Sequence, residues 1–328
     1  MSLDLDTPWV EKYRPQNFEE IVSQNIAINN LKKFVKSGDM PHMIFSGPAG
    51  TGKTSTALII AKSMLKGDHY YRDLLELNAS DTVRMDYVRR VIKTFVNQRM
   101  IIGEDSLKIV ILDEADNIPT QVQQALRRII EKSSANVRFI LMCNYINRII
   151  DPIISRCTVF RFVNLSKEKI IERLQYISDK EKLKIPEGKE EIFFDNLFFI
   201  SGGDLRKAIN SLQMSVALEL SKNLDISEIL RISGFIDELT LENLIKAIQS
   251  KSFAEARKII LSIENLDSRN FIRQLLATLH KFEFDTKDKK IIYALIGDID
   301  FRISQGADDY IQILALIAEI IERVRNKN

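Results

Sequence analysis

At 328 residues the chain exceeds what one hydrophobic core usually serves, and its 45% apolar and 28% charged residues are those of an ordinary globular protein of two or three domains. The 47 basic and 45 acidic residues leave a net charge of +2, which excludes a globally basic nucleic-acid binder and confines any such surface to a local patch. No apolar stretch is long enough to span a bilayer and no secretory signal opens the chain, so an intracellular protein is expected. Two cysteines (Cys143, Cys157) and three histidines (His42, His69, His280) form no disulfide framework or metal-ligand cluster.

From the N-terminus, Thr7 to Pro15 brackets the aromatic residues Trp9 and Tyr13 with prolines and reads as an arm packed on the core, neither helix nor strand. A helix is expected from Gln24 to Lys36, with Ile26, Ile28, Leu31, Phe34 and Val35 as its apolar positions and Ser37-Gly38 as its end. The run Met43-Ile44-Phe45 then reads as a buried strand leading into Gly47-Pro48-Ala49-Gly50-Thr51-Gly52-Lys53-Thr54. This stretch fits the phosphate-binding pattern G-x-x-x-x-G-K-[ST] at every fixed position, with Ala57 to Ala61 following as a helix. Its glycines let backbone N–H groups converge on an anion, and the helix beginning at Lys53 adds its positive dipole end. Lys53 is assigned to the terminal phosphates and the Thr54 hydroxyl to magnesium. The chain is expected to bind a nucleoside triphosphate.

Leu74 to Asn78 reads as a second strand and Met85 to Asn97 as a helix whose outer face carries Arg89, Arg90 and Lys93, a pattern that is ordinarily only a solvated face. Lys108 to Leu112 is a buried strand ending in Asp113-Glu114-Ala115-Asp116. Carboxylates at the carboxyl end of such a strand face the crevice where ligands bind. Asp113 is therefore expected to hold magnesium through its water shell, and Glu114 to polarise the attacking water. Thr120 is read as the cap of a helix burying Val122, Ala125, Leu126 and Ile129 and exposing Gln123, Gln124, Arg127, Arg128 and Glu131. Val137 to Cys143 is a further buried strand, after which Asn144 either hydrogen-bonds the γ-phosphate and water or merely caps the strand. Thr158 to Phe162 closes a five-stranded parallel α/β sheet.

Beyond Asn164 the pattern is helical: Lys167 to Lys182, Glu190 to Ile200 and Leu205 to Leu220, with Asp204 capping the third. Arg206 lies in that helix's first turn, where a cation opposes the dipole, so a partner anion is expected. From about Ile226 five amphipathic helices follow. The last crowds Ile311, Ile313, Leu314, Leu316, Ile317, Ile320 and Ile321 together, which suggests burial against a neighbouring subunit. The expected division is an α/β nucleotide-binding domain over 1–164, a helical lid over 165–225 and an all-α assembly domain over 226–328.

These motifs together resemble the AAA+ clamp-loader ATPases and, among them, the replication factor C small subunits. The resemblance rests on Trp9 to Pro15, the phosphate loop, Leu77-Asn78-Ala79-Ser80-Asp81, Leu112 to Asp116, Ala125-Leu126-Arg127-Arg128, Cys143-Asn144, Ser155-Arg156-Cys157 and Gly203 to Ala208, in family order from Thr7 to Gln213. It implies that Val10, Arg14 and Val22 line the adenine site, with Gly47, Pro48, Ala49, Gly50, Thr51, Gly52, Lys53 and Thr54 around the phosphates. Asn144 and Arg206 become the two sensors. Arg156 becomes an arginine finger acting in trans on ATP held by the neighbouring subunit, a contribution of about 10³ or more in rate.

The resemblance further implies ATP and Mg2+ as ligands, a pentamer with a large subunit and other small subunits, and a sliding clamp opened and placed on primer–template DNA. Arg84, Arg89, Arg90 and Arg127 would face the DNA phosphates. The location implied is cytoplasmic and nucleoid-associated in an archaeon, nuclear in a eukaryote, with no membrane contact. Departures from the family pattern are Ala49 for Pro, Ser23 for Gly, and Thr82-Val83-Arg84, where the usual arginine is displaced by one position and a glycine is lost. The last implies altered DNA contact and one of two non-identical small subunits. Two other classes compete: a DNA motor or helicase loader, for which no wedge hairpin or winged-helix tail is seen, and a structural subunit that binds ATP without hydrolysis, against which Asp113, Glu114, Asn144 and Arg206 argue.

Overall fold

The computed structural model describes residues 7–65, 69–79, 85–98, 107–133, 135–218, 226–263 and 266–324. Contacts gather the chain into two compact units, Met1–Leu183 with Leu197–Gln213, and Lys184–Asn196 with Met214–Asn328.

In the first unit, strands β1 (Met43–Ser46), β2 (Leu74–Asn78), β3 (Lys108–Asp113), β4 (Val137–Cys143) and β5 (Thr158–Arg161) form one parallel sheet in the order β2-β3-β4-β1-β5. Its described helices are α1 (Trp9–Lys12), α2 (Asn25–Ser37), α3 (Lys53–Met64), α4 (His69–Asp73), α5 (Met85–Asn97), α6 (Thr120–Ser133), α7 (Asp151–Ile154) and α8 (Lys167–Glu181). Helices α9 (Glu190–Ser201) and α10 (Leu205–Ala217) each cross from one unit into the other.

The strand sequences explain the sheet order. Successive side chains of a strand point to opposite faces, so a strand covered on both sides must be apolar throughout. The central strands meet that condition over residues 43–45 of β1, 109–112 of β3 and 139–143 of β4. On one face Met43, Phe45, Ile109, Ile111, Ile140 and Met142 pack with Leu31 of α2 and Ile60 of α3. On the other, Ile44, Val110, Leu112, Phe139 and Leu141 pack with Ile92 of α5 and Leu126 and Ile130 of α6. The edge strands β2 and β5 are only partly buried.

Three sequence expectations require correction. The arm contains a helical turn, α1, which starts directly after Pro8, where a missing N–H costs nothing, and buries Trp9 completely. Helix α6 begins at Thr120 itself, with the Pro119 carbonyl accepting from the Val122 and Gln123 N–H groups, so Thr120 lies inside the first turn and is not the cap. Its buried face is also rotated by one residue. Gln123, expected outside, is 2% exposed, because its amide donates to the Ile118 and Arg148 carbonyls (2.8 and 2.9 Å) and accepts from the Ile150 N–H (2.9 Å).

The second unit adds α11 (Ile226–Ile232), α12 (Glu238–Gln249), α13 (Phe253–Leu261), α14 (Ser268–Thr278), α15 (Thr286–Ser304) and α16 (Asp309–Arg323). Asp237, Ser252, Asp267 and Asp308 cap α12, α13, α14 and α16 through their side-chain oxygens. The apolar crowding in α16 is absorbed within this unit: Ile313, Leu316, Ile317, Ile320 and Ile321 lie in its own core with Leu244, Phe271 and Leu275. Only Ile311 of that set remains exposed, at 64%, so the crowding gives no argument for a neighbouring subunit.

Because Phe139 is fully buried at the centre of β4, Phe139→Ala is expected to destabilise the first unit by about 3–5 kcal/mol. Urea unfolding followed by circular dichroism checks this. A loss below about 1 kcal/mol would show that the site collapses around the deletion.

Candidate active site

The loop after β1 is shaped by what surrounds its glycines. The Gly47 N–H donates to the Cys143 carbonyl (3.1 Å), tying the loop to the end of β4. A Cβ at Gly47 would lie 2.0 Å from the Phe162 carbonyl oxygen. Gly50 has φ +70°, and a Cβ there would lie 1.8 Å from Oδ1 of Asp204, so the loop tip and the start of α10 approach as closely as only glycine permits.

Lys53, the first residue of α3, is 8% exposed. Its Nζ donates to the Gly47 carbonyl (2.7 Å), the Pro48 carbonyl (2.8 Å) and Oδ1 of Asn144 (3.2 Å). Burial pushes its pKa down, while the nearby Asp113 carboxylate acts to raise it. Beside it the Thr54 hydroxyl donates to Oδ2 of Asp113 (3.0 Å). These two hard oxygens suit Mg2+, which is held by few protein ligands and keeps waters and substrate phosphates for the rest. Among the described residues no group of three His, Cys, Asp or Glu side chains forms a metal cluster.

Adjacent strand ends bring the remaining polar groups to the same place. Glu114, directly after β3, has φ +53°, the left-handed region that non-glycine residues enter at a cost of about 1–2 kcal/mol. Asp113 stabilises that turn, its Oδ1 accepting from the Glu114 N–H (2.8 Å), and Oε2 of Glu114 accepts from Nδ2 of Asn117 (3.1 Å). Asp116, for which the sequence suggests no role, is buried and accepts from the N–H groups of both Asn144 and Tyr145 (3.1 Å each), fixing the turn that presents Asn144. A signal for it was available, since a fourth-position carboxylate inside a turn must find backbone donors when buried.

One pocket is lined by Gly50, Thr51, Gly52, Lys53, Thr54, Asp113, Glu114, Asn144 and Arg206, and by Val10, Arg14 and Val22 from the N-terminal segment. Ala49 lines it too, whereas Gly47 and Pro48 contribute through their carbonyls on Lys53. Sequence reasoning missed Tyr13, Ile21, Leu165, Arg173 and Ile209, which also line it. Four cations (Arg14, Lys53, Arg173, Arg206) face two carboxylates (Asp113, Glu114), a balance that favours a polyanion. The arm is clamped from both helices behind it. Arg173 donates to the Tyr13 carbonyl (2.9 Å), the Tyr13 hydroxyl donates to Glu181 (2.5 Å), and the Trp9 N–H donates to Gln213 (2.8 Å). Burial and then Glu181 raise the Tyr13 pKa, so the hydroxyl keeps its proton. Both cysteines are free and burial raises both thiols, Cys157 to about 12, which leaves them inert.

Other predicted residues lie elsewhere. Arg156 does not line this pocket; its Nη1 donates to the Pro152 carbonyl (2.7 Å) and its Nη2 pairs with Glu131 (2.5 Å). Arg127 is half-exposed and also pairs with Glu131 (3.0 Å). Arg90 is exposed on α5. Arg84 and the side chain of Arg89 lie outside the described residues.

Residues 43–165 match the profile of the ATPase family associated with various cellular activities, and residues 236–319 that of the replication factor C C-terminal domain. Similar proteins include replication factor C small subunit 1 of Pyrobaculum islandicum, 39% identical over 95% of this chain and 93% of its own. The replication factor C small subunit of Staphylothermus marinus is 40% identical over 95% of this chain and 94% of its own. Among solved structures, the RuvB Holliday junction branch migration motor of Thermotoga maritima has a TM-score of 0.54 over 81% of this chain and 91% of its own, at 18% identity, a likeness of fold alone.

The Gly50 geometry yields a test. Gly50→Ala forces a methyl into the Asp204 carboxylate at a left-handed φ and is expected to weaken nucleotide binding about tenfold or more, from a strain of about 1–2 kcal/mol. Titration with a fluorescent ATP analogue measures it, and unchanged affinity would contradict the stated packing.

Proposed function

This chain belongs to the replication factor C small-subunit family, and from that membership we propose that it opens a ring-shaped sliding clamp and places it on primer–template DNA, driven by ATP. It is a clamp-loader ATPase subunit carrying an AAA domain and a replication factor C C-terminal domain. One observation carries the hydrolytic reading: Lys53, Thr54, Asp113, Glu114, Asn144 and Arg206 converge on one pocket.

In the proposed mechanism Val10, Arg14 and Val22 receive the adenine, and the loop from Gly47 to Thr54 wraps the phosphates, with Lys53 exchanging its carbonyl partners for phosphate oxygens. Thr54 and, through water, Asp113 would hold Mg2+, which when bound neutralises charge on the phosphate oxygens. Glu114 orients the attacking water and accepts its proton, while Asn144, held by Asp116, hydrogen-bonds the water and the γ-phosphate. Arg206 adds positive charge from the start of α10. Arg156, turned away from its own chain's pocket, acts on the nucleotide of a neighbouring subunit.

The partners proposed are a large subunit, further small subunits, the clamp and DNA. Residues 165–225 serve as the lid and 226–328 as the assembly domain. Arg84, Arg89, Arg90 and Arg127 are proposed to meet DNA phosphates without sequence preference. The similar proteins are archaeal, and a cytoplasmic, nucleoid-associated location is proposed on that ground; no described helix is long and apolar enough to cross a membrane.

Glu114→Gln is expected to keep ATP binding and to lose about 10²-fold or more in turnover when assembled with similarly mutated partners. Steady-state phosphate release measures it, and wild-type turnover would remove the assignment. Arg156→Ala is expected to leave nucleotide binding by the isolated chain unchanged and to lower hydrolysis by about 10³ only after assembly. Rapid hydrolysis by the isolated chain that vanishes on this substitution would place the finger in cis.

A further inference from the structure

Glu131 has no part in the pocket, yet it touches Arg156, the arginine proposed to act on a neighbouring subunit's nucleotide. It stands in the last turn of α6, and its Oε1 receives two guanidinium groups, Nη2 of Arg156 at 2.5 Å and Nε of Arg127 at 3.0 Å. Arg156 sits in the turn between α7 and β5, anchored a second time by Nη1 on the Pro152 carbonyl at 2.7 Å. The Glu131 carboxyl is held below its ordinary pKa chiefly by Arg127, then by Arg156, and so stays charged at neutral pH.

An exposed pair of this kind adds little to stability, because solvent screens the charges and two long side chains lose freedom. The three side chains involved are only 33–37% exposed, enough to be ordered but open to solvent. What the contact does fix is direction. A guanidinium has five N–H donors in a rigid plane; with one spent on Glu131 of α6, one on the Pro152 carbonyl and one on the Ser155 hydroxyl (3.3 Å), its plane is set and two remain for an incoming phosphate.

We infer that Glu131 is a positioning residue for hydrolysis, a strut that aims the Arg156 guanidinium at the neighbouring subunit's nucleotide, with Arg127 orienting the carboxylate. The inference rests on the trans role of Arg156 proposed above. It also makes α6 the element through which the finger's aim is set, since strut and finger meet across the α6 and α7 segments. Misplacing a group of this kind by about 1 Å can cost up to about 10²-fold, and a finger with one anchor remaining should lose less.

The test uses the assembled complex, purified with the subunits that accompany the chain, carrying Glu131→Gln, Glu131→Ala, Arg156→Ala or Arg156→Ala combined with each Glu131 change. Glu131→Ala is expected to lower kcat about tenfold with KM for ATP unchanged, and Glu131→Gln to fall between it and wild type. The isolated Glu131 variants should bind nucleotide and melt as wild type does. In the Arg156→Ala background neither Glu131 change should cost anything more, since the strut then has nothing to aim. A full-rate Glu131→Ala complex, a faster one, or a loss undiminished in the Arg156→Ala background would overturn the inference while leaving the trans finger intact. A full-rate Arg156→Ala complex would remove the finger reading itself, and the inference with it.

Discussion

A lysine ammonium placed inside a folded domain with, among the described residues, only neutral oxygens in direct contact is the constraint on which this structure turns. Lys53 donates to two carbonyls of its own loop and to one side-chain amide. Removing an ammonium from water costs several kcal/mol even after relaxation, and those three dipoles offset only part of that. The lowered pKa expresses the same deficit. An arriving phosphate supplies the missing opposite charge, and the loop glycines supply backbone N–H groups around it. The site is thus held in a state that an anion improves.

The sheet brings the other groups to that cation. β4 lies between β3 and β1, so the chain segments leaving these three strands, with Glu114, Asn144 and the glycine loop, emerge side by side at one edge. Strand order alone therefore assembles a carboxylate, an amide and a glycine-rich loop from stretches distant in sequence. Helix α10 closes the arrangement. Its cap Asp204 accepts from the N–H groups of Arg206 and Lys207 (2.9 and 3.2 Å) while lying against Gly50, so the same carboxylate that starts the helix sets the position of Arg206 over the loop.

Most of this framework is legible in the sequence, for a physical reason. Residues 43–45 of β1, 109–112 of β3 and 139–143 of β4 are apolar runs because both faces are covered there, and the phosphate loop needs glycine at positions where a Cβ would strike a carbonyl or a carboxylate. What escapes is whatever depends on partners far along the chain. Gln123 looks like a surface residue until Arg148 and Ile150, about 25 positions on, fold back to satisfy it. The helical turn at Trp9 is hidden by its prolines, and its backbone N–H finds its partner in Gln213, about 200 positions on. The excess of isoleucines in α16 reads as an interface because sequence periodicity cannot show that one helix is surrounded by its own unit. Ser155-Arg156-Cys157 contains no acid, and the acid it uses comes from α6.

The most direct test of the account compares thermal unfolding of the wild-type chain with that of Lys53→Met, an uncharged side chain of similar length, without ligand and with saturating Mg-ATP. If the buried ammonium is an unmet charge that phosphate completes, the variant without ligand melts at or above the wild-type temperature, and ATP raises the midpoint of the wild type alone. A variant that melts well below wild type without ligand, yet is stabilised by ATP to the same degree, would contradict it.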